Sequence, residues 1–226
     1  MLEVVRVSRR RPRSDGPSLL DEISFTLRSG DRVALVGPSG AGKTLALRAT
    51  ALLDPLDDGE VRWEGQRIGR DEVPRYRTRV VYVHQRPALI EETAEAALQR
   101  PFALRVHRGA RFDLEQLNRW LRQLGRPDEF LHKRVSNLSG GEIQLTALLR
   151  ALQLGPRVLL LDEPTAALDA TTAAAVERLL LEWVDGADGR AFVWVGHDAA
   201  QSVRVANRTL RIEAGRLAGP SGSDGS

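Results

Sequence analysis

The 226-residue sequence contains no cysteine, and lysine occurs at only two positions, Lys43 and Lys133. The lack of cysteine excludes disulfide bonds and thiolate metal ligands, as is usual for proteins of a reducing compartment. No uninterrupted apolar run approaches the roughly 20 residues that a membrane-spanning helix needs, and the N-terminus lacks the apolar core of a signal peptide. The composition therefore predicts a soluble, cytoplasmic chain without thiol chemistry.

A strong excess of charge of one sign is also lacking. The chain has 33 Lys+Arg against 30 Asp+Glu, and the surplus is dispersed apart from one basic cluster at residues 9–13. A nucleic-acid-binding protein is expected to carry a strongly basic face. We therefore expect no nucleic-acid partner, and the length favours one globular domain with a substantial core.

Short apolar runs alternate with segments of helical spacing. The runs are Val33–Val36, Val80–Val83, Val158–Leu161 and Phe192–Val195. The helical segments are Lys43–Leu53, Gly141–Leu154 and Thr171–Trp183. Runs that are apolar on both faces are typical of buried parallel strands covered by helices. The pattern predicts an α/β fold with a mostly parallel core sheet flanked by helices.

Two further regions differ from this body. Alternating strand patterns at Leu2–Val7, Ile23–Leu27 and Val61–Trp63 predict a small N-terminal antiparallel β subdomain. Between about residues 87 and 136 the strand pattern lapses and one amphipathic helix is indicated, which predicts a helical subdomain. We expect a single domain over residues 1–218 and a flexible Gly/Ser-rich tail over 219–226.

A glycine-rich stretch, GPSGAGKT, follows the first buried strand and opens a helix. It fits the P-loop pattern G-x-x-x-x-G-K-[ST], whose backbone N–H groups surround nucleotide phosphates. Lys43 is expected to bridge the β- and γ-phosphates, and the Thr44 hydroxyl to reach Mg²⁺. The predicted nucleotide-binding residues are Gly37, Pro38, Ser39, Gly40, Ala41, Gly42, Lys43 and Thr44.

Polar side chains follow three other apolar strands. Asp162 and Glu163 end the run at 158–161, in the form of a Walker B motif. Asp162 is expected to hold Mg²⁺ through water, and Glu163 to orient and polarise the attacking water. Gln85 and His197 follow two neighbouring runs, so both are expected at the γ-phosphate, with Gln85 also near Mg²⁺. The predicted catalytic group is therefore Glu163, His197, Lys43 and Gln85.

A second anion site is indicated at residues 137–145, NLSGGEIQL. Ser139, Gly140 and Gly141 stand just before a helical run, and a helix N-terminus of this kind is suited to a phosphate. Unlike the P-loop, this site has no lysine of its own in the motif.

Taken together, these motifs resemble the ordered motif set of the ABC-type ATPases over nearly the whole chain. They are the P-loop, Gln85, Leu138–Glu142, the Walker B strand, Ala167–Asp169 and His197. The resemblance implies ATP and Mg²⁺ as cofactors and a head-to-tail homodimer, in which the Ser139 loop of one protomer caps the ATP held by Lys43 of the other. It also implies that Asp169 communicates between the two sites.

The sequence departs from the family pattern at a few positions. The signature reads LSGGE rather than LSGGQ, Leu145 stands where an arginine is frequent, and Ala166 replaces a frequent serine. The family usually stacks an aromatic residue on adenine from the N-terminal sheet, and the stretch Val7–Arg11 contains none. Arg11 is our hypothetical substitute, because a guanidinium plane can stack on a base; a solvated basic loop is the alternative.

The motif set leaves three classes of ABC-type protein as alternatives for this chain. The resemblance favours the ATP-hydrolysing subunit of a transporter, held on the inner face of the cell membrane by a separate integral-membrane permease. A soluble cassette of DNA repair or translation is expected to carry a long coiled-coil insertion or two cassettes. A regulator without hydrolysis is disfavoured by the presence of Glu163 and His197.

Among transporters, the resemblance to the Fet/YbbL-type ATPases implies iron export. The similar stretches are Arg86–Ile90, Pro101–Phe102, Leu149–Gln153 and Val193–Val195. The alternative is an importer ATPase or a lipoprotein- or lipid-release ATPase, because these ATPases share the same cassette motifs.

Overall fold

The computed structural model describes residues 1–10 and 18–218 of the chain. A four-stranded antiparallel sheet is formed by β1 (Leu2–Arg9), β2 (Leu20–Leu27), β4 (Asp58–Trp63) and β5 (Gln66–Arg67), in the order β2-β1-β4-β5. Its strands alternate buried and exposed side chains, since one face packs on the core. The predicted N-terminal antiparallel sheet is confirmed.

The second sheet has six strands in the order β10-β9-β3-β8-β7-β6. Their bounds are β3 Arg32–Val36, β6 Val80–Val83, β7 Val158–Asp162, β8 Ala191–Val195, β9 Arg208–Glu213 and β10 Arg216–Leu217. All pairings are parallel except β10 with β9 at the edge. The predicted mostly parallel sheet is therefore confirmed. Strands β9 and β10 were not predicted, because Ile212 is the one buried side chain of β9 and the apolar pattern is weak.

Seven α-helices are present in the described residues. They are α1 Lys43–Thr50, α2 Val73–Arg79, α3 Ala94–Gln99, α4 Leu114–Gln123, α5 Gly140–Leu152, α6 Ala170–Asp185 and α7 Ala199–Val205. Helix α1 ends earlier than predicted, because Leu52 adopts a left-handed conformation with φ of 53°. Among the described residues, no helix is both long and apolar enough to cross a membrane.

Two hydrophobic cores lie on opposite faces of the parallel sheet. Leu159 and Leu161 of β7 face the core formed with α4, α5 and α6, whereas Leu160 faces the core formed with α1 and the antiparallel sheet. The alternation follows from the two-residue period of a strand. The segment between β6 and α5 contains α3, α4 and short 3₁₀ turns, and it packs on the first of these cores. The exact extent of a helical subdomain stays a prediction.

Candidate functional site

The carboxyl ends of four neighbouring parallel strands converge on one edge of the sheet. The P-loop follows β3, Asp162 ends β7, and Gln85 and His197 each lie two residues beyond β6 and β8. Ligands of open α/β sheets bind at this edge, because the connecting loops open into a crevice there. The structure therefore brings the predicted residues of three separate motifs together with the P-loop.

The P-loop presents the N-terminus of α1. Its N-cap, Gly42, has φ of 104° and no side-chain cap, so the first backbone N–H groups of the helix are available to an anion. The Lys43 side chain folds over this loop and donates hydrogen bonds to the carbonyl oxygens of Gly37 and Pro38, both at 2.8 Å. Since Lys43 is only 8% exposed, its ammonium group is fixed at the loop.

A hydroxyl and a carboxylate meet beside the P-loop. Thr44 Oγ1 donates to Asp162 Oδ1 at 3.2 Å, and the Tyr82 hydroxyl donates to Asp162 Oδ2 at 2.8 Å. Burial, together with this hydrogen bond, raises the pKa of Tyr82 above its usual range, so the hydroxyl remains a donor. Tyr82 was not predicted, since an aromatic residue within a buried strand gives no functional signal in the sequence.

The Thr44 and Asp162 pair fits Mg²⁺. Both supply the oxygen ligands that Mg²⁺ prefers, and this ion is usually held by one or two protein groups with waters and substrate phosphates. In the part of the chain that the structure describes, no cluster of three or more His, Cys, Asp or Glu side chains forms a complete metal site. Waters and phosphate oxygens would supply the remaining ligands of Mg²⁺ at this pair.

The Glu163 carboxylate is held from two sides. Gln85 Nε2 donates to Oε2 at 2.5 Å, and His197 Nε2 lies 2.5 Å from Oε1. Glu163 adopts φ of 49°, a left-handed conformation that costs about 1–3 kcal/mol in a residue with a side chain. Its N–H donates to the Val195 carbonyl at 2.9 Å, which helps to fix this turn.

A buried glutamine, absent from our predicted site, supports the same loop. Gln144 is 1% exposed; its Nε2 donates to the Glu163 carbonyl at 2.6 Å, and its Oε1 accepts from the Ala167 N–H at 3.0 Å. The amide thus fixes the turn after β7 to helix α5. The one sequence signal was a polar residue between the apolar residues Ile143 and Leu145 of this helix, which gives no partner by itself.

The predicted second anion site lies at the start of α5, which has a capping box. Ser139 Oγ accepts from the Glu142 N–H at 3.2 Å, and Glu142 Oε2 accepts from the Ser139 N–H at 2.9 Å. Lys133 donates to Glu142 Oε1 at 2.6 Å. Burial acts to raise the pKa of Glu142, but the hydrogen bonds from Lys133 and Ser139 outweigh it and hold the pKa below its ordinary value. The glutamate of LSGGE therefore stays ionised and orders this helix start.

Two other predicted residues have different outcomes. Asp169 caps α6 and accepts hydrogen bonds from the Thr172 N–H at 2.9 Å and the Thr172 hydroxyl at 2.7 Å, which lower the pKa of Asp169. Arg11, the suggested adenine-stacking residue, lies outside the described residues.

Comparison with known proteins agrees with this architecture. The family described as ABC transporter matches residues 20–166. The chain is 35% identical to the probable iron export ATP-binding protein FetA of Escherichia coli K12, covering 88% of this chain and 87% of that protein. A solved structure described as a dimeric post-hydrolysis state of the ATP-binding cassette MJ0796, bound to ADP and Pi, aligns with a TM-score of 0.84 at 26% identity, covering 96% of both chains.

Importer proteins are similar at the same level. Identity is 35% to the sulfate/thiosulfate import ATP-binding protein CysA of Xanthomonas campestris, covering 94% of this chain, and 35% to the Fe(3+) ions import ATP-binding protein FbpC of Streptomyces avermitilis, covering 91%. The chain spans 62% and 59% of the length of these two relatives.

The fold and motif set define an ATP-binding cassette with the architecture of an ATPase. The chain belongs to the ABC transporter family.

Proposed function

We propose that this protein binds Mg-ATP and hydrolyses it as the energising subunit of a membrane transporter. The observation that carries the proposal is the Glu163 carboxylate, held between Gln85 and His197 at the sheet edge that also bears the P-loop. A carboxylate fixed beside a phosphate-binding loop is suited to orient a water molecule for attack on the γ-phosphate.

The binding half of the site consists of P-loop groups. The N–H groups at the start of α1 receive the β-phosphate, and Lys43 exchanges its carbonyl partners for β- and γ-phosphate oxygens. Thr44 and Asp162 are the groups that would hold Mg²⁺. Gln85, the third predicted Mg²⁺ residue, donates a hydrogen bond to Glu163, which directly follows Asp162. Bound Mg²⁺ would neutralise charge on the phosphate oxygens.

The hydrolytic half positions water and stabilises charge. Glu163 accepts a hydrogen bond from the attacking water, and a bond forms between the water oxygen and the γ-phosphorus. The bond from the γ-phosphorus to the β,γ-bridging oxygen breaks, its electron pair remains on ADP, and the proton lost by the water passes to the product phosphate or to solvent. The products are ADP and phosphate. His197 and Gln85 fix the Glu163 carboxylate by contacts of 2.5 Å each, so positioning and electrostatics supply most of the rate enhancement.

The complete site is proposed to form between two protomers. In the described part of one chain, no hydrogen bond joins Ser139, Gly140 or Gly141 to the P-loop. The helix start at Ser139 is nevertheless ordered by its capping box and suited to a phosphate. The similar structure of the cassette MJ0796 is described as dimeric, which supports a homodimer here. In the proposed dimer, this helix start closes over the ATP of the partner subunit.

Replacement of Glu163 by Gln tests the hydrolytic assignment. We expect Glu163→Gln to bind ATP, to lose about a hundredfold or more in turnover, and to accumulate as a dimer in size-exclusion chromatography with Mg-ATP. Glu115→Gln, on the exposed face of α4, is the matched control and should behave as wild type. Normal turnover in Glu163→Gln would remove Glu163 from its role.

The proposed partner is an integral-membrane permease, as the transport functions in the names of the relatives suggest. We place the contact surface for the permease on the loop after β6. At one end of this loop Gln85 contacts Glu163 of the ATP site, and five residues later Ile90 is 79% exposed. An exposed apolar side chain so near the site is suited to receive an apolar segment of the permease. Such contacts would hold the chain at the inner face of the membrane.

The Ile90 surface is tested by copurification in mild detergent. Ile90→Asp should reduce recovery of the permease while leaving ATP binding unchanged. Val203→Asp is the control, because Val203 on α7 is equally exposed, at 80%. Equal recovery with both variants would contradict this contact surface.

Iron or another metal ion is the proposed solute, and export the proposed direction. The similarity to FetA supports this, whereas the similarity to CysA and FbpC supports import as the second candidate. The permease that copurifies is reconstituted with this chain, and metal movement is measured in both directions. ATP-dependent efflux of metal supports export; uptake that depends on a solute-binding protein establishes import instead.

A further inference from the structure

Each of the five parallel strands begins at, or immediately after, an arginine. In spatial order from β9 to β6 these residues are Arg208, Arg32, Arg190, Arg157 and Arg79. They form a row along the amino-terminal edge of the sheet, which is the edge opposite to the P-loop and Glu163. None of them has a role in the proposed ATP site.

Among the described residues, Arg208 alone of the five has a carboxylate partner, and the three at the β6 end of the row concern us here. Arg79, Arg157 and Arg190 precede the adjacent strands β6, β7 and β8, yet no carboxylate among the described residues lies within 4.0 Å of their nitrogens. Arg208, by contrast, pairs with Asp31 at 3.2 Å. Burial, and next the charge of Arg157, lower the pKa of Arg190. The hydrogen bonds of these two guanidinium groups go to backbone carbonyl oxygens, of Asp188 for Arg157 and of Trp183 for Arg190, so no carboxylate balances their charges.

A pocket of about 360 Å³ opens at the β6–β7 end of this row. Arg79, the last residue of α2, and Arg157 line it just before β6 and β7. His107, at the end of the 3₁₀ turn that precedes α4, and Arg108, the next residue, line its other side. Glu64 is the one carboxylate among its lining residues, and it lies more than 4.0 Å from every arginine nitrogen of the described chain. The pocket therefore has an excess of positive charge.

Trp63 also lines the pocket, and its indole N–H is a further hydrogen-bond donor. Trp63 is 5% exposed, and the guanidinium of Arg79 lies 5.6 Å from its ring centroid, which fixes the orientation of that arginine. Trp63 Nε1 is buried and has no hydrogen-bond partner among the described residues. Unpartnered buried donors are uncommon in proteins, and Trp63 lines the same pocket as Arg79, Arg108 and Arg157.

We propose that this pocket binds the phosphate group of a small phosphate ester. Arg79, Arg108 and Arg157 line this one pocket, and guanidinium groups form charge-assisted hydrogen bonds with the oxygens of a phosphate. The pocket is larger than phosphate alone, which leaves room for the esterified part of the ligand. The bound anion would connect the turn at 105–107 to the start of β6 and β7 and relieve the repulsion between the arginines.

Isothermal titration calorimetry with inorganic phosphate and with glycerol 3-phosphate tests the proposal. The full-length Lys43→Ala chain is used, because it removes the principal phosphate contact of the P-loop. We expect saturable one-site binding of glycerol 3-phosphate and none of glycerol. Arg108→Ala and Arg157→Ala, each in this background, should weaken binding by about tenfold or more.

Arg122→Ala, on the exposed surface of α4, is the matched control and should leave the affinity unchanged. Arg108 is an exposed loop residue, so its replacement tests the site without risk to the fold. Vesicles of phosphatidylcholine with and without phosphatidic acid distinguish a lipid headgroup from a free ester. Absence of saturable binding, equal affinity in Arg108→Ala, or binding to phosphatidic acid vesicles alone would each overturn the proposal.

Discussion

Gln144 Nε2 donates a hydrogen bond to the backbone carbonyl of Glu163 at 2.6 Å, within one chain. The Oε1 atom of the same side chain accepts from the Ala167 N–H at 3.0 Å. One amide therefore joins the loop that carries Glu163 to helix α5, whose first turn carries Ser139. In the proposed dimer, these two elements serve different ATP molecules, so Gln144 connects the two sites through a rigid contact.

Replacement of Gln144 by Leu should lower kcat about tenfold or more while the KM for ATP changes little. The Glu163 carbonyl and the Ala167 N–H lose their partner in a buried place, and the loop that orients the attacking water loses its anchor. The P-loop contacts of Lys43 are unaffected, because they involve other residues. Steady-state ATPase kinetics measure both parameters.

Gln99→Leu is the control for this variant, since Gln99 is an exposed residue of α3 that bonds Glu95. Its kinetics should match wild type. A Gln144→Leu protein with unchanged kcat would show that α5 and the Glu163 loop do not depend on this amide.

The strands that carry the site were predictable from the sequence for a physical reason. Strands β7 and β8 are buried at every position and form apolar runs, except for Asp162 at the end of β7. Polar residues at or just after the ends of such runs must lie at one sheet edge. Asp162, Glu163 and His197 could therefore be placed together from the sequence alone. The P-loop added a motif with its own spacing.

The supporting residues were not predictable in this way. Tyr82 and Gln144 act through hydrogen bonds to groups 80 and 19 residues distant in sequence, and periodicity carries no information about such partners. Lys133 is similar, since its pairing with Glu142 depends on the fold of the turn before α5. Sequence patterns thus locate the polar groups at the ends of the strands more readily than the residues that hold them in place.

Gly37 of the P-loop should tolerate no side chain. A Cβ atom there would lie 2.1 Å from the carbonyl oxygen of Ile212 in β9, and φ is 153°. Gly37→Ala therefore should lower both the free energy of unfolding and the affinity for ATP. Gly65→Ala is the matched control: it has φ of 80° but no atom within 4 Å of its Cβ, so we expect a cost of only about 1–2 kcal/mol and unchanged ATP binding.

Urea denaturation and nucleotide titration measure these two effects. If Gly37→Ala and Gly65→Ala lose equal stability and bind ATP equally, the close approach of Ile212 has no energetic consequence.

Ser139→Arg should separate nucleotide binding from hydrolysis. The arginine would place a long side chain where the α5 N-terminus is proposed to meet phosphate, and it would remove the serine of the capping box. We expect the monomer to bind ATP as wild type does, because Lys43 and Thr44 are untouched, and turnover to fall about a hundredfold. Loss of binding by the monomer would count against a site shared between protomers. Ser136→Arg, in the exposed turn three residues earlier, is the control.

Glu177 of α6 gives a prediction for the dependence of stability on pH. Arg204 of α7 donates to both of its carboxylate oxygens, at 3.0 and 2.9 Å, and Gln201 donates to Oε1 at 2.9 Å. The hydrogen bonds from Arg204, opposed by burial and assisted by Gln201, hold the pKa of Glu177 below its ordinary value. Because the folded-state pKa is the lower one, this stabilisation is complete above the unfolded pKa of about 4.3 and is lost as the pH falls through the folded-state pKa.

Glu177→Gln should therefore cost roughly 1–3 kcal/mol at neutral pH, and the difference from wild type should shrink in acid. Urea denaturation at a series of pH values measures it, with the exposed Glu115→Gln as control, and a difference that is independent of pH would contradict the assignment.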